Sequence, residues 1–489
     1  MKKFFLFFTS IIFFIGIIPV NTYAISSQKL MTMTVRDAIF LALRGNPDIQ
    51  SEELDRVSQK YALVVAKNEF EPQYSLTGSL NHTSSTAGGD TSRTTTSELS
   101  PAIGIKNHYG TEFTLTSKNP TTNGIYNPAI TLAILQPLIR GFGKTIVEAA
   151  LKNAFNTETI NKLNMKSNII ATVATIIGDY LTLAQTKATL YSDQKSLKRL
   201  NLTIEQNEAQ YKAGKLAKFN LVQAEAKAAT QKAFIQNDVN AISTARYRLL
   251  SDLGLNPNTK IDIPNKMDYD TIHHTMTGPG QLPSAAKSKR LALANNPSYQ
   301  TEGFMLKILG RNLMLAKNEG CWQLDLTASG TTGGGTGTAP NSGLDSLVNG
   351  KNHEEVVGLN LSIPIDDVNI KQDIINAQVA LDKQKIEYHK QKRDLIIAVI
   401  DKRNTVISNR KQLGIDLQAL KLNRQNVHYA ELRKKAGRIS TFELLNNQDD
   451  LTVAQQLVIT DTINYLNAVK EFNKMLGLTL DRWNITIKY

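Results

Sequence analysis

The chain has 489 residues, 41% of them hydrophobic and 20% charged, with a formal net charge of +13 and one cysteine. That length supports a large buried interior. The lone Cys321 excludes an intramolecular disulfide framework and any cysteine-based metal cluster.

Lys2 and Lys3 precede an uncharged apolar run from Phe4 to Val20, then Asn21-Thr22-Tyr23-Ala24. A basic start, an apolar core and small residues at the end predict a signal peptide over 1–24, cut after Ala24. No cysteine lies near that cleavage site, so no lipid anchor on a new N-terminal cysteine is expected. No later segment reaches ~20 continuous apolar residues, so no membrane-spanning helix is expected. Export from the cytoplasm removes nucleic acid as the partner of the positive charge.

Residues 25–254 read as one unit and 284–478 as its repeat, separated by a linker over 255–283 and followed by a tail over 479–489. Leu41-Ala42-Leu43-Arg44-Gly45-Asn46-Pro47 returns 250 residues later as Leu291-Ala292-Leu293-Ala294-Asn295-Asn296-Pro297. Beyond the middle of each unit the offset is 223: Ala213-Gly214-Lys215-Leu216 returns as Ala436-Gly437-Arg438-Ile439, and Leu253-Gly254-Leu255 as Leu476-Gly477-Leu478. The first unit therefore carries 27 extra residues between these blocks. A repeat of this size implies one architecture built twice.

Each unit contains two runs that alternate with period two. In the first, Tyr74, Leu76 and Leu80 predict a strand over about 73–81, and Ile130, Leu132 and Ile134 one over about 128–137. In the second, Trp322, Leu324, Leu326 and Ala328 mark about 322–330, and Val357, Leu359, Leu361 and Ile363 mark about 356–365. Their length and alternation suit tilted strands with lipid on one side and water on the other; half-buried strands of a soluble sheet would read the same way. Between them, His82 to Ser100 and Thr331 to Lys351 are rich in Thr, Ser and Gly and read as outer loops. The surplus falls in the first of these regions, where Ile103 to Leu115 could add a hairpin about Gly110. Four strands cannot close a membrane barrel, whose smallest form has about eight. Strands that span lipid would then share one barrel among several chains.

After each strand pair comes a seven-residue stripe. Ile169, Ile176, Leu183, Leu190, Leu197, Ile204 and Tyr211 are matched by Val399, Val406, Leu413, Leu420 and Val427. Ala228, Ile235, Ile242 and Leu249 continue it after the first turn, and Leu451, Val458, Tyr465 and Phe472 after the second. Such stripes predict supercoiled helical hairpins over 144–254 and 367–477, with tips near 214 and 437. Gly214 and Gly437 end the outgoing helices, and Ser440-Thr441-Phe442-Glu443 reads as a capping box opening a return helix.

Catalytic motifs are weak. Gly143-Lys144-Thr145 lacks the earlier glycine of a phosphate-binding loop, and Gly333 to Gly337 precedes no helix. His273-His274 reads as an exposed loop pair and Cys321 as inert and buried. No enzyme activity, cofactor or metal is expected.

In its duplicated helix–strand–strand–helix plan the chain resembles the TolC-like outer-membrane efflux proteins. The two Leu-Ala-Leu-x-x-Asn-Pro starts, Gln136-Pro137-Leu138-Ile139-Arg140-Gly141-Phe142-Gly143, the Ala-Gly tips and the closing Leu-Gly-Leu all fit that family. The resemblance implies a mainly α protein with a transmembrane β part. Three copies would form an α-helical tunnel across the periplasm, joined to a shared twelve-stranded β-barrel in outer-membrane lipid. It further implies a conduit for multicomponent efflux or type I secretion, docked on a periplasmic adaptor and an inner-membrane pump or ABC transporter. The missing anchor cysteine places it beside the unlipidated branch. By the same resemblance, Gly214, Lys215, Leu216, Gly437, Arg438 and Ile439 form the periplasmic tip that meets the adaptor. Family members narrow the tunnel with acids six and nine positions past the second glycine. Here those positions are Glu443 and Asn446, and Asn220 is the first-unit counterpart of Glu443, so only one acid is retained. Trp322 stands where the repeat predicts proline.

The residues themselves add one expectation. Lys212, Lys215 and Lys218 flank the first tip, and Arg433, Lys434, Lys435 and Arg438 the second, against Glu431 and Glu443. Tripled, this would make a basic mouth that favours anionic cargo or an acidic adaptor tip; cations also simply suit helix C-termini. The other function class left open is a non-transport coiled-coil scaffold or adhesin of the envelope.

Overall fold

The computed structural model describes residues 31–263, 273, 274, 276, 282–334, 342–350, 352–487 and 489. The expected signal peptide and most of the linker lie outside the described residues. Each repeat opens with two helices broken at Asn-Pro: α1 (Val35–Gly45) and α2 (Pro47–Asn68), then α6 (Ala285–Asn295) and α7 (Pro297–Glu319). The break has a local cause. Asn46 Oδ1 accepts from the Asp48 and Ile49 amides, Asn296 Oδ1 accepts from the Tyr299 amide, and proline fills the first helical position in both.

Four longer helices follow. Between the repeats' sheet segments and their tips run α4 (Ala149–Lys212), which the short α3 (Lys144–Val147) precedes, and α9 (Val368–Lys435); α5 (Lys218–Asp252) and α10 (Thr441–Leu476) return. The 64 residues of α4 and 68 of α9 each extend for roughly 100 Å at ~1.5 Å per residue. Two short pieces complete the helical part: β1 (Met31–Thr32) pairs in parallel with β8 (Ile261–Asp262), and α11 (Thr479–Arg482) is the last helix among the described residues. One apolar window within Lys144–Lys212 would pass as a membrane span, yet 61% of it is buried inside the protein, as in a core helix.

The heptad stripe is the core. Ile169, Ile176, Leu183, Leu249, Val399, Val406, Tyr465 and Phe472 are buried in one cluster with Val35, Ile39 and Ala42 of α1. There the two motifs at the ends of each repeat meet. Asn46 Nδ2 donates to the Asp252 carbonyl at 2.7 Å, and Asn296 Nδ2 to the Met475 carbonyl at 3.2 Å. Gly254 and Gly477 have φ of +67° and +70°, and a Cβ on them would lie 1.9 Å from the Gly45 oxygen and 2.3 Å from the Asn295 oxygen. Only glycine fits both the turn and the contact. Toward the tips the core thins to small clusters such as Leu200, Ala224, Ala228 and Leu445.

The sheet departs from two strands per repeat. The described residues form one eight-stranded sheet: β2 (Gln73–Ala87), β3 (Asp90–Lys106), β4 (Glu112–Lys118), β5 (Pro120–Thr122), β6 (Ile125–Tyr126), β7 (Ala129–Pro137), β9 (Gln323–Gly333) and β10 (His353–Ser362). Thr116 pairs with Ala102 and Thr122 with Thr96 in one register, so β4 and β5 act as a single strand against β3. Likewise β6 and β7 form one strand against β5 and β4, in the register that pairs Thr121 with Tyr126 and Leu115 with Leu132. The result is a six-stranded antiparallel meander, β2–β3–β4/β5–β6/β7–β9–β10. His82 to Ser100, expected as a loop, is strand except for a Gly88-Gly89 turn, because Thr and Ser pair as well as apolar residues in a ladder. The hairpin about Gly110 is present. The region after Thr331 carries α8 (Ser342–Asn349) rather than loop alone.

Candidate functional site

Two regions can act on a solute or a partner: the sheet wall and the hairpin tips. On the wall, register sorts side chains by face. Tyr74, Leu76 and Leu80 of β2 share a face with Leu99, Ile103 and Ile105 of β3, Phe113 and Leu115 of β4, and Ile130, Leu132 and Ile134 of β7. It continues through Leu324, Leu326 and Ala328 of β9 to Leu361, Leu359 and Val357 of β10. The opposite face presents Ser75, Thr77, Glu98, Ser100, Lys106, Glu112, Thr114, Thr131, Asp325 and Asn360. The sheet thus has one apolar and one polar face.

At the tips, α4 and α9 end alike. The Lys215 amide donates to the Gln210 carbonyl at 2.9 Å and the Arg438 amide to the Arg433 carbonyl at 2.8 Å, around Gly214 and Gly437, both at φ +69°. These are the six-to-one bonds of a Schellman ending. The turns put Lys215 and Arg438 in solvent, while Leu216 is half-buried and Ile439 is buried with Ala430 and Leu444. The capping box is half made. Ser440 Oγ accepts from the Glu443 amide at 3.0 Å, but the Glu443 carboxylate turns to Arg433, 3.8 Å away. Ala217, the equivalent cap of α5, has no side chain to offer.

The basic residues do not all face solvent as free charges. Lys212 pairs with Glu208 at 2.9 Å, and Lys434 donates to Thr441 Oγ1 at 2.7 Å, its pKa lowered by burial. Lys215, Lys218, Lys435 and Arg438 are exposed. Thr441 in turn donates to Asn207 Oδ1 at 3.4 Å, which joins the two tips side by side. Asn207 also donates to the Asn220 carbonyl at 3.5 Å. Of the expected constriction residues, Asn220 is half-buried beside this junction, and Glu443 and Asn446 are exposed on α10.

Above the tips, α4 meets α10 through polar side chains. Gln448 donates to Thr203 Oγ1 at 3.4 Å, Thr452 to Ser196 Oγ at 3.1 Å, and Gln456 to Asp193 Oδ1 at 2.9 Å. Three carboxylate pairs that no sequence motif marks join the outgoing helices to the returning ones. Burial and Asp193 push the Asp238 carboxyl up to about 6, and Asp416 together with burial raises Asp461. The two pairs sit at equivalent positions, offset by 223, so the duplication itself was the available signal. Asp179 is pushed up to about 7 by burial and by Asp252; Arg248 Nε at 2.9 Å opposes this, but its side chain is 70% exposed and screened.

His273, expected in an exposed loop, is half-buried with Nε2 2.8 Å from the Tyr465 hydroxyl. Cys321, expected to be buried, is half-buried. Among the described residues no group of His, Cys, Asp and Glu could hold a metal ion.

Residues 290–478 match the family model described as outer membrane efflux protein. That match covers most of the second repeat, which is therefore similar to the outer-membrane efflux proteins. Solved channels share its fold over nearly their whole length. VceC of Vibrio cholerae is 14% identical with a TM-score of 0.68, covering 91% of this chain and 96% of its own. The open-state MtrE channel of Neisseria gonorrhoeae is 16% identical with a TM-score of 0.66, covering 93% of each. CmeC of Campylobacter jejuni is 14% identical, also at 0.66, covering 93% and 90%. No curated protein sequence matches the chain significantly.

Proposed function

We propose that three copies of this chain form a passive conduit from the periplasm through the outer membrane, serving an efflux or type I secretion system. The observation that carries this reading is that one chain ends in two incomplete edges. Above the core the elements lie side by side as α2, α4, α7 and α9, and the sheet follows the same order from β2 to β10. At one border β2 has a free edge among the described residues, and α2 leaves Leu54, Val57, Tyr61 and Val64 exposed at helical spacing. At the other, β10 has a free edge among the described residues, and α9 exposes Val368, Ile375, Val379 and Ile386. Free strand edges are not viable in lipid and apolar helix stripes seek partners. Copies joined border to border would satisfy both and close a ring.

Partners follow from the tips. Gly214, Lys215, Leu216, Gly437, Arg438 and Ile439 would meet a periplasmic adaptor that couples the conduit to an inner-membrane pump or ABC transporter. Exposed Lys215, Lys218, Lys435 and Arg438 would give that mouth a preference for anionic cargo or an acidic adaptor tip, with Glu443, Asn446 and Asn220 lining the narrowing above it. A coiled-coil scaffold would explain the heptads but not a sheet with one apolar and one polar face. Planar-bilayer recording tests the conduit: discrete ion channels are expected, and a protein that inserts without conducting would overturn it. Photo-crosslinkers at Lys215 and Arg438 in intact cells are expected to capture an adaptor; capture of only surface or peptidoglycan-associated proteins would favour the scaffold. Strong cation selectivity unchanged by Arg438→Glu would remove the anionic preference.

A further inference from the structure

The inserted hairpin of the first repeat, β3 with β4 and β5, stands between β2 and β7 in the sheet. Resting on the trimeric conduit reading, we infer that all six long strands of each copy enter the membrane wall, so that three copies close an eighteen-stranded barrel rather than a twelve-stranded one.

Three observations lead there. First, the insertion has the alternation of a wall strand. Leu99, Ile103 and Ile105 lie on the apolar face, with Ile103 opposite Tyr74 on one side and Leu115 on the other, and Leu115 is paired in turn with Leu132. Glu98, Ser100, Lys106, Glu112, Thr114 and Thr116 lie on the polar face. An extracellular loop has no use for a lipid face that is continuous with its neighbours.

Second, the lower turn of the insertion is built into the junction between helix and strand. Asn107 Oδ1 accepts from the Tyr109 and Thr111 amides at 2.8 and 3.0 Å, and Thr111 Oγ1 donates to Gln136 Oε1 at 2.5 Å. The Gly143 amide donates to the Tyr109 carbonyl at 3.2 Å. His108 stacks on Phe70 at 4.6 Å and lies 3.1 Å from Glu148, while Lys106 reaches Glu69 at 3.2 Å. The turn is thus fastened both to the end of α2 and to the start of α4. A Cβ at Gly110 would lie 2.7 Å from the Gly141 oxygen.

Third, strand directions allow closure. The meander is antiparallel throughout, so β2 and β10 at its borders run in opposite directions. The β10 edge of one copy can pair antiparallel with the β2 edge of the next, and six strands per copy keep the total even. If the insertion left the wall, β7 would lose its register with β4, and β2 would have to pair with β7 directly.

The consequence is a wider exit. With strands ~4.8 Å apart and tilted ~40°, eighteen strands enclose a barrel about 36 Å across between backbones, against about 24 Å for twelve. An exit of that size suits bulky or polypeptide cargo better than small molecules alone.

Electron cryo-microscopy of the purified oligomer in nanodiscs would count the strands: eighteen are expected, and twelve overturn the inference. Cysteine labelling in outer-membrane vesicles gives an independent readout, in a Cys321→Ser background. A water-soluble maleimide is expected to label Ala102→Cys and Thr114→Cys at least tenfold faster than Ile103→Cys and Leu115→Cys, with all four equal after denaturation. Equal labelling of the four in the native membrane also overturns it. Single-channel conductance of the same preparation separates the two claims: a conducting twelve-stranded pore refutes the strand count alone, whereas a protein with no conductance refutes the conduit.

Discussion

Arg56 of α2 and Glu158 of α4 form a buried, two-pronged ion pair, with Nη1–Oε2 at 3.0 Å and Nη2–Oε1 at 2.5 Å. The equivalent positions of the second repeat, by the offsets of 250 and 223, are Leu306 and Leu381. The positions that carry a charged pair in one repeat therefore carry two leucines in the other. The repeat with the ion pair is also the one with the inserted hairpin, whose lower turn is fastened to the same two helices. Burial alone would push the Glu158 carboxyl up, but the Arg56 bond and charge, with Lys162, bring it below its usual range. A buried pair of this kind need add little net stability, since desolvation opposes the attraction. What it does impose is a penalty for any arrangement that separates the two charges. The comparison teaches that the helical frame tolerates either solution, and that charge stands where the junction has more to position.

The largest effect expected from breaking this asymmetry comes from removing one partner. Arg56→Leu or Glu158→Leu alone would leave a buried charge and cost about 3–5 kcal/mol, whereas the double substitution, which copies the second repeat, would be near neutral. Thermal unfolding of the purified oligomer checks both. A double variant as damaged as the singles would show that the ion pair itself, not its isolation, sets the stability.

Protonation gives the next effect, again in the first repeat. Asp179 titrates at about 7 in the folded chain against an ordinary value of 3.8, so the folded state holds the extra proton between those values. Its contribution is complete below pH ~4 and is lost as pH rises toward ~7. Asp179→Asn should flatten that part of the pH–stability profile and stabilise the protein at neutral pH. The equivalent position in the second repeat is Lys402, so no matching change is expected there. An unchanged profile would show that Arg248 holds Asp179 ionised.

The smallest effects belong to the tips. Ser440 caps α10 while Ala217 caps α5 with nothing. Ser440→Ala should cost about 1 kcal/mol and Ala217→Ser recover a similar amount or less, measured by unfolding. Equal and negligible changes at both would mean that the Schellman turns alone hold the tips.

Much of this architecture is determined one element at a time. Heptads act through helix periodicity, and Asn-Pro and Ser440 act through local hydrogen bonds, so the helices, their breaks and their tips are legible in the residues alone. Strands with apolar alternation, such as Leu132 to Ile134 or Leu359 to Leu361, are legible for the same reason. The upper part of β3 is not, because Thr91 to Ser97 has no apolar alternation, and only its ladder with β2 makes it strand. Nor could spacing show that Asn46 would reach Asp252, that Arg56 would find Glu158, or that Asp193 would face Asp238. Those contacts join residues far apart in the chain, and a one-dimensional pattern has no term for which helix lies beside which. The helical frame is a property of the sequence read locally; the width of the sheet, the buried charges and the free borders were decided only when segments far apart in the chain packed together.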